Sequence, residues 1–181
     1  MNSKLPKIEN YYKWSSSRLV DNRNRGIFAE WLVGQALNAI QNNTSRREWD
    51  AVDLRVNGVT IEIKCSGRSQ SWGYEEPSTP RWSIQKNKRV WNAETDEVEV
   101  FDNPKRNADI YIFCLHDPIP ATNENVADPR CWSFWVIASK TIDKELGNQK
   151  SVGIRTLKSL TESISWSELP VEFEKVAEGL N

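Results

Sequence analysis

Four residues have the types and spacing to do chemistry: Glu30, Asp53, Glu62 and Lys64. Glu62 and Lys64 are two positions apart, so in a strand both project from one face. Asn57-Gly58, between two alternating runs, is a strong hairpin signal. With those residues as the turn, Val56 opposes Val59, Leu54 opposes Ile61 and Val52 opposes Ile63. This register gathers the aliphatic residues on one face and sets Arg55 against Thr60, Asp53 against Glu62 and Ala51 against Lys64 on the other. Two carboxylates directly opposite each other repel, an arrangement sheets avoid. A cation that both can bind is the simplest reason to keep them there. Individually these residues have plainer readings: Glu62 and Lys64 as the solvated face of an edge, with Asp53 paired diagonally to Lys64. Asp50 is the alternative to Asp53, but in a regular strand it points to the aliphatic face and needs a bulge to join the acids. Cys65 falls on the aliphatic face and reads as core, and His116 ends a strand and reads as structural.

These residues need elements to hold them. Asp21 to Asn24 offer caps for a helix over 25–41, whose apolar residues Ile27, Phe28, Trp31, Leu32, Ala36, Ala39 and Ile40 follow the helical period. Glu30 is the only acid on that helix, and a half-buried carboxylate needs a partner. After the polar break 41–47 comes the hairpin. Residues 66–72 read as a helix start or a tight loop, 81–85 as a short strand, and 98–101 as part of a hairpin. Asp109 to Leu115 reads as a buried central strand and Trp132 to Ala138 as another. Thr141 to Leu146 reads as a helical turn and Ser151 to Arg155 as an edge strand. A final helix begins near Ser167, with a stripe of Leu169, Phe173, Val176, Ala177 and Leu180 that makes it a cover. Such an order gives a mixed α/β (α+β) fold in one domain over residues 1–181.

Composition narrows the chemistry. The 181 residues contain one histidine, which excludes sites built on two or more. Three cysteines without a C-x-x-C pair make neither a disulfide framework nor a zinc knuckle, so a reducing, cytoplasmic setting is expected. No apolar run approaches the roughly 20 residues of a membrane helix, and no secretory signal is evident. The formal net charge is −1, yet the charge is uneven. Residues 1–25 carry Lys4, Lys7, Lys13, Arg18, Arg23 and Arg25 against Glu9 and Asp21. Residues 64–89 carry Lys64, Arg68, Arg81, Lys86, Lys88 and Arg89 against Glu75 and Glu76. Five of the last acids, Glu162 to Glu178, face Lys175 alone. Trp is abundant, at nine residues. Trp72, Trp82 and Trp91 lie among the second basic group, the interleaving expected where rings stack on bases beside phosphate contacts. Any one of them alone is more readily a core residue.

The helical Glu30, Asp53, and Glu62-Ile63-Lys64 on the paired strand together resemble the PD-(D/E)XK superfamily of restriction-endonuclease-like nucleases, over residues 25–65. Val52 stands where the proline of the motif's name would be, and the rest of the chain matches loosely. The resemblance implies an α-β-β-β-α-β core, completed by the strand at 109–115 and covered by the C-terminal helix. It implies a Mg2+-dependent DNA endonuclease of restriction or repair type, with Mn2+ as an alternative ion. Glu30, Asp53 and Glu62 would be metal ligands, Lys64 would orient the attacking water or stabilise the phosphate, and Gln70 would contact the Lys64 end or the DNA backbone. Arg68, Trp72, Arg81, Lys86, Lys88 and Arg89 would hold duplex or branched DNA. A symmetric homodimer carrying two sites would make duplex cleavage easiest. Two other functions remain open: a non-cleaving nucleic-acid-binding or scaffold module on the same fold, and an RNA-directed nuclease.

Overall fold

The computed structural model describes residues 6–41, 45, 46, 48, 50–72, 77–93 and 95–180, and alternating and helical apolar patterns sort these described residues into six α-helices and eight strands. Lys4, Glu75 and Glu76, named above, lie outside the described residues, as do residues 42–44 and 47 of the polar break. The order begins α1 (Ile8–Ser16), α2 (Asn22–Ala36), β1 (Leu54–Val56), β2 (Val59–Gly67), β3 (Arg81–Ser83), β4 (Asn87–Asn92), β5 (Glu97–Lys105), β6 (Ile110–His116). It continues α3 (Asn123–Ala127), β7 (Trp132–Ala138), α4 (Ser139–Leu146), β8 (Ser151–Gly153), α5 (Ile154–Leu160) and α6 (Leu169–Glu178).

The main sheet has the order β1-β2-β6-β7 and is mixed: β2 and β6 run parallel, the outer pairs antiparallel. On one face Ile61, Ile63, Ile110, Ile112 and Phe134 pack against Ala29, Leu32 and Val33 of α2 and Leu169 and Phe173 of α6. The expected C-terminal cover is therefore present, with the whole predicted stripe on that core. On the other face Tyr111, Phe113, Trp135 and Ile137 pack with Trp82, Ile84, Ile142, Val152 and Leu157.

Three expectations change. The α2 helix stops at Ala36, not near 41, because Asn38 turns left-handed (φ 53°) and the chain folds back. Ile40 then lies on Gly34, where any side chain would collide with it. Secondly, among the described residues no helix lies between β2 and β6, and no sheet strand precedes β1. Here the observed order departs from an α-β-β-β-α-β core. The crossover segment has no helical apolar period; Trp82 and Ile84 alternate instead, and they seal the sheet face that a crossover helix would cover. Thirdly, the edge strand at Ser151 is short and passes into α5, whose Leu157 is fully buried.

β4 and β5 pair only with each other, as a hairpin longer than the 98–101 pattern suggests. β5 buries only Phe101.

Candidate active site

The hairpin forms in the expected register for three pairs: Val56 with Val59, Arg55 with Thr60, and Leu54 with Ile61. There the ladder ends. The Asp53 N–H donates to the carbonyl of Ile61, the residue already paired with Leu54. Its carboxylate Oδ2 accepts the Ile63 N–H at 2.6 Å, the donor that Val52 would have taken in a regular continuation. So the predicted pairings of Val52 with Ile63, Asp53 with Glu62 and Ala51 with Lys64 are not part of the sheet. Val52 instead crosses into the core on the opposite face from Leu54. Asp53 thus sits at the sheet edge where the chain changes sides.

That position places Asp53 between charges from both faces. Burial pushes its carboxyl pKa up, Glu62 and Glu30 add to the rise, and the Ile63 N–H and Lys64 oppose it, for a value of about 7. Glu62 and Lys64 project together from β2 and form an ion pair. With Tyr111, Ser83, Gln85 and Asn87 they line a recess of about 280 Å3. Burial and the Glu62 charge raise the Tyr111 pKa, so its hydroxyl keeps its proton at the site. On the α2 side, Glu30 and Asp53 line a cavity of about 380 Å3 together with Arg46, Asp50 and Arg55. There the Arg46 Nε and Nη2 donate to the two Glu30 oxygens at 2.5 and 2.9 Å.

Among the described residues, no three acidic, His or Cys side chains meet as a ready-made ion cage. The sheet edge separates Glu30, on the helix side, from Glu62. A hard cation needs less than a cage, because Mg2+ is commonly held by one or two carboxylates with waters and substrate oxygens completing its shell. Asp53 and Glu62 meet that requirement as two oxygen donors, of which Asp53 is held back from ionising first by burial and then by the Glu62 charge. Glu30 is a third donor only if it leaves Arg46.

The remaining candidates are placed unevenly. Asp50 is already satisfied: burial opposes its ionisation, but Arg55 at 2.7 Å and the N–H groups of Ala51 and Ala93 outweigh it and lower its pKa. Gln70 is not brought to Lys64. Its amide donates to the Gly67 carbonyl and Ser78 and accepts from Arg25 at 3.4 Å, on the α2 side of the sheet. Gly67 lets the buried Arg25 approach, since a Cβ there would stand 2.7 Å from its guanidinium carbon.

Arg68 pairs with Asp117 at 2.6 Å, Arg81 reaches Ser151, and Lys86 joins the buried Arg106 on Asp143. Lys88 and Arg89 are exposed on β4, and Trp72 is 74% exposed. Trp82 is buried and donates its indole N–H to the Cys114 carbonyl, which separates it from the basic-aromatic pattern. Cys65 is held inert by burial, which pushes its thiol up to about 12 against the pull of Arg25. His116 is fully buried against Trp132.

Two groups at the site escape sequence reasoning. Arg46 lies in a polar stretch with no periodicity to place it. Tyr111 reads only as a core position of a central strand, and its place beside Glu62 depends on the parallel pairing of β2 with β6. In comparisons with known proteins, no family model matches this chain and no curated protein matches it.

Proposed function

We propose that this chain is a Mg2+-dependent nuclease acting on DNA, of the PD-(D/E)XK type. The reading rests on one observation above all: the half-buried Asp53 carboxylate is turned in at the end of the β1–β2 ladder, where its Oδ2 accepts the Ile63 N–H at 2.6 Å between Glu62 and Lys64, the ion pair of the same strand. Asp53 and Glu62 would hold the ion, with Mn2+ as the alternative. When bound, the ion would neutralise charge on the scissile phosphate and activate a water.

The protein's own groups account for the rest. Lys64, already neutralised by Glu62, would turn its ammonium to a phosphate oxygen once the ion takes that carboxylate. This places positive charge where negative charge develops. Tyr111, Ser83 and Asn87 would offer neutral hydrogen bonds around the same phosphate. Hydrolysis joins the water oxygen to phosphorus and breaks one ester P–O bond, leaving a phosphate and a hydroxyl end.

A second reading has its own support. Glu30 and Glu62 are each paired with a cation of the chain, as a nucleic-acid-binding module without turnover would keep them. Incubating the purified protein with plasmid, linear, single-stranded and branched DNA, and with RNA, separates the two. The nuclease reading expects DNA cleavage in Mg2+ or Mn2+ and none in EDTA. Binding without cleavage in either ion favours the module, and cleavage of RNA alone changes the substrate class.

A further inference from the structure

Arg46 has no place in the reaction outlined above, yet its contact with Glu30 is shorter than that of Arg55 with Asp50 in the same cavity. Its planar guanidinium holds both oxygens of Glu30, at 2.5 and 2.9 Å, a paired geometry stronger and more directional than a single ion contact. The Glu30 side chain is only 18% exposed, so few waters compete for it. Arg46 lines the same cavity as Glu30, Asp50 and Asp53, with its own side chain 38% exposed at the mouth. The chain therefore supplies two cations to three carboxylates: Lys64 on one side of the sheet edge, Arg46 on the other.

We propose that Arg46 is a built-in counter-ion that competes with the divalent cation for Glu30, so that Glu30 joins the metal shell only when the guanidinium swings away. The proposal rests on the metal-site reading of Asp53 and Glu62 and adds its regulation. Without Arg46, Glu30 is free to serve the ion at no cost of breaking a pair. With it, bringing Glu30 to the ion must first separate two partly shielded charges. The effect is to set the ion affinity lower than the donor set alone would give.

Mn2+ titration calorimetry on the DNA-free protein tests this without reference to cleavage. Arg46→Ala should bind Mn2+ roughly three- to tenfold more tightly than the wild type, the range expected for losing one partly exposed bidentate pair. Arg46→Lys, which keeps a cation but cannot grip both oxygens, should fall between them, and it carries the test if the alanine variant fails to fold. In a Glu30→Gln background, Arg46→Ala should no longer change the affinity. If the wild type binds Mn2+ and neither Arg46 variant binds it more tightly, the counter-ion proposal is overturned while the metal site stands. If no variant binds Mn2+ at all, the metal-site reading falls and takes this proposal with it.

Discussion

At the scale of single residues, Asp53 is the carboxyl whose charge the fold opposes. Asp53 is raised to about 7 from an ordinary value of 3.8 by burial and by Glu62 and Glu30, so the folded state binds a proton that the unfolded state releases. Its contribution to metal-free stability is fully favourable below the unfolded value and is lost as pH rises through about 7. Asp53→Asn keeps an oxygen to accept the Ile63 N–H and removes the charge. Melting curves without metal should show the variant's stability relative to the wild type rising by about 1–3 kcal/mol between pH 5 and pH 8. The same variant should lose the rise in melting temperature that Mn2+ gives the wild type. A difference that does not change between those pH values would mean that Asp53 is not under charge strain.

The acids, the lysine and their shared hairpin are legible in the sequence because alternation and the Asn-Gly turn fix which residues lie together. The break at Asp53 is not, since it depends on a side chain replacing a backbone acceptor.

Among the elements, the same difference between local and distant information recurs. β2 alternates, β6 and β7 are continuous apolar runs and α6 carries an apolar stripe, and each forms about where its pattern lies; α2, whose Trp31 is exposed while Ala29 and Val33 are buried, is placed less well by its pattern. The end of α2 escapes because it is decided by Ile40 packing back on Gly34, a contact no period announces. Likewise the junction of α2, β2 and β6 is built from Arg25, Gly67, Ser69 and His116, which meet only in the folded chain.

His116 reports on that junction. Burial and the Arg25 charge push its pKa down from 6.5 to about 4, so it is neutral when folded, whereas the unfolded chain takes up a proton near 6.5. Its contribution is present above about 6.5 and is lost as pH falls toward 4. This opposes the trend set by Asp53 over the same range. Thermal melts from pH 7 to 4 should show His116→Phe losing less stability on acidification than the wild type, by at most about 3 kcal/mol. A parallel decline in both proteins would show that His116 is not the group being charged.

For the whole molecule, a net charge of −1 means that polyanion binding must come from local groups. Arg68, Arg81 and Lys86 already have partners within the fold, which leaves Lys88 and Arg89 of β4 as the exposed basic pair of that stretch. β4 starts at Asn87, which lines the Glu62 recess, so these two charges stand near the site. Changing both to Ala should weaken duplex binding at every sequence and flatten the slope of log affinity against log salt by up to about two units. Trp72→Ala, at an exposed ring, should instead lower single-strand or junction affinity by roughly 1–3 kcal/mol with little change in that slope. Fluorescence anisotropy across a salt series measures both. Unchanged binding in both variants would show that DNA enters elsewhere. Exposed aromatics on α1, which buries no residue, are the other surface open to such contacts.

The central claim, that Asp53, Glu62 and Lys64 form a hydrolytic metal site, meets its most direct test in plasmid nicking by the wild type, Glu62→Gln and Lys64→Ala in Mg2+, with Mn2+ binding measured on the same preparations. The wild type should nick only with metal, and Glu62→Gln should lose both ion and cleavage. Lys64→Ala should bind the ion while cleaving at least about a hundredfold more slowly, the order of effect of removing one charge-stabilising group. Cleavage by Lys64→Ala at the wild-type rate, or metal-independent cleavage by the wild type, would contradict that claim.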